Sequence, residues 1–431
     1  MNEVDRNRLE EFRQLRREIR HSQEYLIVGI DEAKDRHHAF FGTATGKTLL
    51  KRFVFDNTYE GFRKLLDQTE AVRVQHQLSK VVYGMEPTAN YHKPLGEGLI
   101  ELGRRVVLVS GVMVKRNRES LDGRWDKHDE KDSANVADLV SQGKCLYYEY
   151  PSPELRGLRG LLSLKKRLKK QEQSYRVRIR NQLIAQYFPE MDRYYERLGA
   201  EGLSIVKWCL AASQITQLDV DLFIERVTSR RITGEKRRRL EAIWEKAGES
   251  IGCEEVPGVD HEGKVLVEGL KQIREMIKET DKKIEELCKQ FPEYPYLLTI
   301  PGFGPDVSAK VLGAIGDPDR FEKGSQVVKL AGYDLSADRS GKDSDKAIPE
   351  ISKRGKADLR YALYQAALVA SSQNRELMIY YTNKIRGRER EKGIHTKMRV
   401  KLAAKLLVIA WTLMKKKEAY NPAYLNTDKG E

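Results

Sequence analysis

Apolar and polar positions divide this chain into stretches of different period. Residues 25–31 (Tyr-Leu-Ile-Val-Gly-Ile-Asp) are apolar until the last position, as in a strand buried on both faces. Residues 38–42 and 50–55 follow at hairpin spacing around Thr45-Gly46-Lys47, which predicts two more strands joined by a turn. A helix is predicted over 59–78. Residues 80–86 read as a fourth strand, closed by Pro87, which cannot continue a central ladder. A helix over 92–102 leads to a fifth strand at 105–110, and a further helix starts within 127–139. Three meander strands, helix, strand, helix, strand, helix is an α/β layout with a mixed sheet. In that order strands one and four are neighbours at the sheet centre.

Beyond residue 151 the period changes. Leu161, Leu168 and Tyr175 recur every seven residues in a run rich in Lys and Arg, from Lys165 to Arg180. Leu266, Leu270, Ile273, Ile277, Ile284 and Leu287 alternate four and three, with Thr280 the polar seam position. Both segments predict long helices with a coiled-coil stripe; two amphipathic helices of a bundle share the pattern. Residues 191–250 read as helical without a motif. Leu297 to Ala309 form two apolar turns around Gly302-Phe303-Gly304, which resembles a helix-hairpin-helix motif. There, backbone N–H groups at a helix start hold a DNA phosphate. Residues 356–414 are mostly helical. The expected organisation is a charged arm (1–22), an α/β domain (23–150), a helical coiled-coil and dimerisation region (151–292) and a mostly α-helical C-terminal domain (293–431).

With 431 residues the chain has room for two or three domains. A net charge of +14 and a pI near 9.3, spread along the length, favour a polyanion partner, and nucleic acid is the usual one. Cys145, Cys209, Cys253 and Cys288 are far apart, as for free thiols in a reducing compartment. The N-terminal residues are charged, unlike a signal peptide. The longest apolar run, 402–414, is short for a membrane span and contains Lys405. A cytoplasmic protein without membrane contact is expected.

Four acids stand out. Asp129 and Asp132 are three apart at a predicted helix start and share a face. Paired carboxylates there repel unless a cation offsets them, and hard ions such as Mg²⁺ take such ligands. Asp31 ends the first strand and Glu86 the fourth. If all four meet, two Mg²⁺ ions suit displacement at a phosphodiester. Spacing alone leaves another reading standing, in which Asp31 and Glu86 serve turns and the helix pair is a solvated face.

A resemblance narrows the choice. Ile30-Asp31, Met85-Glu86-Pro87-Thr88-Ala89-Asn90-Tyr91-His92 and Lys127-His128-Asp129-Glu130-Lys131-Asp132 resemble the acidic motifs of the DEDD transposases of insertion sequences. His128 and Ser133 depart from that pattern without touching a carboxylate. Leu298 to Pro305, Leu330-Ala331-Gly332, Arg339-Ser340-Gly341-Lys342 and Ser352-Lys353-Arg354-Gly355 with Leu359-Arg360 resemble the same family's C-terminal domain, in order. The likeness spans residues 23–415.

The resemblance implies a ribonuclease-H-like (RuvC-like) first domain. It implies Mg²⁺ or Mn²⁺ held by Asp31, Glu86, Asp129 and Asp132. It implies Ser340 as a nucleophile that joins covalently to DNA, activated by the carboxylate–metal chemistry because no His stands beside it. Arg339, Lys353, Arg354 and Arg360 would hold phosphates, with Gly302 and Gly304 at the hairpin. The implied partners are double-stranded DNA, a structured guide ("bridge") RNA and further copies of the chain, as a dimer or a tetramer. Rival readings are a site-specific invertase, a metal-dependent junction nuclease that needs no serine, and a non-catalytic nucleic-acid-binding derivative.

Overall fold

A computed structural model of the chain describes residues 3–87, 89–121, 129–194, 199–228, 232–336, 350–422 and 425, with the backbone alone at 3–5, 120, 121, 129, 130 and 336. The chain divides into two compact units, Met1–Pro151 and Ser152–Glu431.

The first unit runs α1 (Glu3–Glu18), β1 (Tyr25–Asp31), β2 (Arg36–Thr43), β3 (Thr48–Asp56), α2 (Tyr59–Gln75), β4 (Lys80–Met85), α3 (His92–Glu101), β5 (Arg105–Leu108), α4 (Gly111–Leu121), α5 (Asp129–Ser141) and β6 (Leu146–Tyr147). The sheet order is β3-β2-β1-β4-β5-β6. β1 is antiparallel to β2 and parallel to β4, and β4 is parallel to β5. The expected neighbours thus pair at the centre, in a mixed α/β sheet consistent with the ribonuclease-H-like expectation. Apolar layers cover both faces. Leu26, Val28 and Ile30 pack with Leu65, Leu95 and Leu99 on one; Ile27 and Val82 pack with Leu15, Val136 and Val140 on the other. Strand alternation forces this split. The segment expected as a charged arm contributes to the core: Leu15 and Ile19, one turn apart, are buried against the sheet.

In the second unit, Ser152 caps α6 (Pro153–Arg178), its hydroxyl accepting from the Leu155 N–H. A π-helical stretch, Ile179–Ile184, leads to α7 (Ala185–Tyr187). α8 (Ala200–Trp208), α9 (Ala212–Thr216), α10 (Val220–Val227) and α11 (Gly234–Ala247) gather around Phe188, Phe223 and Leu240, so the stretch without a motif has a core of its own. α12 (Val259–Cys288) lies along α6, and Leu168, Ile273 and Ile277 meet there beside Tyr175. The heptad positions pair within one chain. Ile273→Asp with Ile277→Asp places two carboxylates in this seam and is expected to cost about 4 kcal/mol or more, with unchanged mass by light scattering. A lower mass with an unchanged melting temperature would show a seam between chains instead.

The remaining elements are α13 (Tyr294–Leu298), α14 (Pro305–Ile315), α15 (Gly324–Ala331), β7 (Leu335–Ser336), β8 (Glu350–Ile351), α16 (Ala357–Gln373), α17 (Arg375–Ile385) and α18 (Ile394–Lys416). Leu402, Leu406, Leu407 and Leu413 of α18 are fully buried and centre this core. Among the described residues, no helix is long and apolar enough to cross a membrane. The four cysteines are free thiols, and only Cys253 is exposed.

Candidate active site

Asp31 and Glu86 reach adjacent positions because their strands run parallel in register. Ile30 pairs with Met85, so Asp31, the last residue of β1, and Glu86, which directly follows β4, come next. Alternation sets their face. Ile30 and Met85 belong to the layer with α2 and α3. Asp31 and Glu86 therefore fall on the opposite face, with Ile27, Val82, Gly29 and Gly84.

That face receives α5, and two glycines admit it. A Cβ on Gly29 would stand 2.2 Å from the Ser133 carbonyl oxygen and 2.7 Å from the Ala137 amide nitrogen. A Cβ on Gly84 would stand 2.6 Å from Val140 Cγ2. The helix backbone lies directly on β1, two residues before Asp31, and this brings in Asp132, only 3 % exposed. α4 holds α5 in place. Arg118 forms an ion pair with Asp132. Asn117 Nδ2 donates to Asn135 Oδ1 at 2.6 Å and Asp138 Oδ2 at 2.7 Å, and Asn135 Nδ2 donates to the Val114 carbonyl at 2.7 Å. Asp129 is the first residue of α5, and its side chain lies outside the described residues.

Three neighbours escaped the sequence reading. Arg118 neutralises Asp132, and nothing local in the sequence pairs them. Gly111 opens α4 against Glu86; a Cβ there would stand 2.6 Å from Glu86 Oε1. Glu32, next to Asp31, is 3 % exposed, and among the described residues neither carboxyl oxygen has a hydrogen-bond partner beyond its own amide. Burial, with the charges of Asp31 and Glu86, pushes its carboxyl up to about 9. The one available signal was a second acid directly after Asp31.

Carboxylate oxygens are the hard donors Mg²⁺ or Mn²⁺ takes, and Asp132 already draws a cation, the Arg118 guanidinium. The donor chemistry fits such an ion. Among the described residues, no three His, Cys, Asp or Glu side chains form a group able to hold one.

In the second unit, Arg339 and Ser340 lie outside the described residues. The segment 337–349 that contains them is flanked by β7 and β8, which pair antiparallel as Leu335 with Ile351 and Ser336 with Glu350. Two of the motifs quoted above form the base of this pair. The Lys353 N–H donates to the Gly332 carbonyl and the Lys356 N–H to the Leu330 carbonyl. A Cβ on Gly355 would stand 2.4 Å from the Gly332 amide nitrogen. Arg360 works in this base: its Nη1 donates to the Ala331 carbonyl at 2.8 Å. Lys353 and Arg354 are exposed, and Lys353 takes a left-handed backbone (φ 56°), unusual for a residue with a Cβ. Gly302 (φ 83°) turns the chain between α13 and α14, where a Cβ would meet the Ala366 carbonyl at 2.4 Å. Gly304 precedes α14, and the space beside it is open.

Two family models match the chain. A DEDD transposase model of the IS110 type covers residues 28–189, and a model described as transposase, IS116/IS110/IS902 family, covers residues 294–382. An uncharacterized 44.8 kDa protein of insertion element IS116 from Streptomyces clavuligerus is 24% identical over 412 residues, 92% of this chain and 96% of that protein. An uncharacterized 42 kDa protein of insertion element IS900 from Mycobacterium paratuberculosis is 27% identical over 172 residues, 39% of this chain and 42% of that protein. Both family models match in their order along the chain, and the first contains all four acids, so this chain belongs to the IS110/IS116 family of insertion-element transposases and is a DNA transposase or recombinase.

Proposed function

We propose that this enzyme cuts and rejoins insertion-sequence DNA through a covalent link between Ser340 and a DNA phosphate, with Mg²⁺ or Mn²⁺ held by Asp31, Glu86, Asp129 and Asp132. The observation that supports the metal half is the side-by-side placing of Asp31, which ends β1, and Glu86, which directly follows β4, on the sheet face that α5 covers. When bound, the ion polarises phosphodiester oxygens and offsets the charge that develops on them. The Ser340 hydroxyl loses its proton and attacks phosphorus. The bond from phosphorus to a deoxyribose oxygen breaks, and that oxygen takes up a proton. Attack by another strand's hydroxyl reverses the step and frees the serine. Arg339, Lys353 and Arg354 hold phosphates; Arg360 supports the base of the β7–β8 pair. The open space beside Gly304 suits a DNA phosphate at the start of α14. A structured guide RNA and assembly into a dimer or tetramer complete the reading.

Converging carboxylates repel until a cation binds. Mg²⁺ is therefore expected to raise the melting temperature of the wild type and not of Asp129→Ala/Asp132→Ala. Equal shifts in both would remove the metal assignment. Denaturing gels of reactions with element-end DNA test the serine half: a protease-sensitive protein–DNA adduct is expected, and its absence would favour the junction-nuclease reading.

A further inference from the structure

The middle of the second unit carries a groove that no step above uses. It has a volume of about 610 Å³ and lies where α6, α14 and the start of α16 meet. Its lining holds six cations, Arg159, Lys165, Lys166, Lys169, Lys310 and Lys356, and one acid, Asp358. Two cations are anchored by carbonyls at the end of α14: Arg159 Nε donates to Gly313 at 2.7 Å and Lys356 Nζ to Ala314 at 3.2 Å. Lys165 is held by Asp281 and Asp306, and Lys310 shares Asp306. Lys166 rests on Asp358 in a solvent-exposed pair at 2.8 Å, and the exposed Lys169 ammonium rests at 3.0 Å on Glu172, whose carboxylate Arg274 also holds. The exposed Lys166 pair is weak, Glu172 keeps Arg274 when Lys169 leaves it, and an ammonium has three N–H groups to share, so a phosphate can engage both lysines. From Arg159 to Lys169 the cations follow α6 for about 15 Å, a track rather than a point.

The groove also has an aromatic rim. Tyr361 lines it, one turn after Asp358 on α16, with 65 % of its surface exposed. An exposed aromatic ring beside a row of cations suits a strand whose bases are unpaired, because a base stacks on the ring while the backbone follows the charges. Paired bases in a duplex are closed to such stacking.

We infer that this groove binds a single-stranded nucleic-acid segment, with Lys166 and Lys169 on its phosphates and Tyr361 stacked on a base. The inference rests on the DNA-recombinase reading only for the expectation that the chain meets nucleic acid. Its test involves no strand cutting, so it stands or falls independently of Ser340.

Fluorescence anisotropy of the full-length protein with short labelled oligothymidylate, oligouridylate and a duplex hairpin reads the groove directly. Lys166→Ala/Lys169→Ala is expected to weaken both single strands about tenfold and to lower the salt slope by about 1.4, two phosphates at about 0.7 each. Tyr361→Ala is expected to weaken them about fivefold with the salt slope unchanged, and Tyr361→Phe to restore binding. Duplex binding should be indifferent to Tyr361. Lys236→Ala/Lys246→Ala on α11, outside the groove, controls for lost net charge. The inference is overturned if that control weakens binding as much as the groove pair. It is also overturned if Tyr361→Ala leaves single-strand affinity intact or lowers duplex affinity equally, or if polyglutamate competes as well as an oligonucleotide. A stronger effect on oligouridylate than on oligothymidylate identifies RNA as the occupant; the reverse identifies DNA. All variants are exposed substitutions, and melting curves matching the wild type confirm folding.

Discussion

Ser340→Ala is expected to abolish both strand exchange and the covalent adduct while leaving DNA affinity within about twofold of the wild type. Affinity for DNA comes mainly from Lys and Arg contacts to phosphate, and a single hydroxyl adds little. Rate is different. Removal of a covalent nucleophile leaves only binding and electrostatic assistance, so strand exchange should fall by about 10⁴-fold or more. A serine-linked strand survives denaturation and migrates slowly until protease removes the protein; a strand cut by water does not. Asp132→Ala is expected to remove the adduct as well if the carboxylate chemistry activates the hydroxyl, and an adduct that survives Asp132→Ala separates the two steps. Recombination by Ser340→Ala would end the serine mechanism and leave the carboxylates to carry the chemistry alone.

Gly29→Ala is expected to destabilise the first unit strongly, by lifting α5 from the sheet. Alanine is intrinsically better than glycine in a strand by roughly 0.5–1 kcal/mol. Here the added Cβ would lie 2.2 Å from the Ser133 carbonyl oxygen and 2.7 Å from a second backbone atom of α5. Backbone atoms cannot rotate away, so the helix must lift by on the order of 1 Å to restore ordinary contact. Overpacking of this kind costs about 3 kcal/mol, or about 6–12 °C in melting temperature for a unit of this size. If Asp132 shares a site with Asp31 and Glu86, as proposed, the same shift misplaces it, and misplacement by about 1 Å costs on the order of 100-fold in rate. Gly84→Ala provides the comparison. Its Cβ would first meet side-chain atoms, Val140 Cγ2 and Val136 Cγ1, rather than backbone, so a smaller cost, near 1 kcal/mol, is expected. Thermal unfolding that ranks the two variants equally would show that α5 does not seat on β1 through Gly29.

Local pattern settled a good deal. An apolar run ending in Asp31, a second ending at Glu86 and the order of elements between them were enough to predict that two acids end adjacent central strands. That prediction works because strand alternation and the mixed-sheet order follow from period and connectivity alone. The heptads from Leu161 and from Leu266 likewise predicted two long helices, since a 3.5-residue stripe has few other uses. The helix hydrophobes did not reveal their partner. An apolar seam presents the same face to another part of its own chain or to a second copy, and only the fold places Leu168 with Ile273 and Ile277 in one molecule.

The arm expected at residues 1–22 shows the same limit. Its charge dominates the pattern, and the two residues that bury it, Leu15 and Ile19, have meaning only against a sheet formed later in the chain. Arg118 meets Asp132 through the packing of two helices, and Arg360 is drawn to carbonyls at the base of β7 and β8. A guanidinium reads the same in sequence whether it will meet DNA, a carboxylate or a backbone carbonyl. Glu32 follows the rule most plainly: beside Asp31 it reads as one more surface acid, and only burial by distant segments keeps its proton on to about pH 9. Short-range periods thus determined which elements form and which acids end them. Long-range contacts decided which charges face each other, because a side chain's partner and its access to water depend on segments far away in the chain.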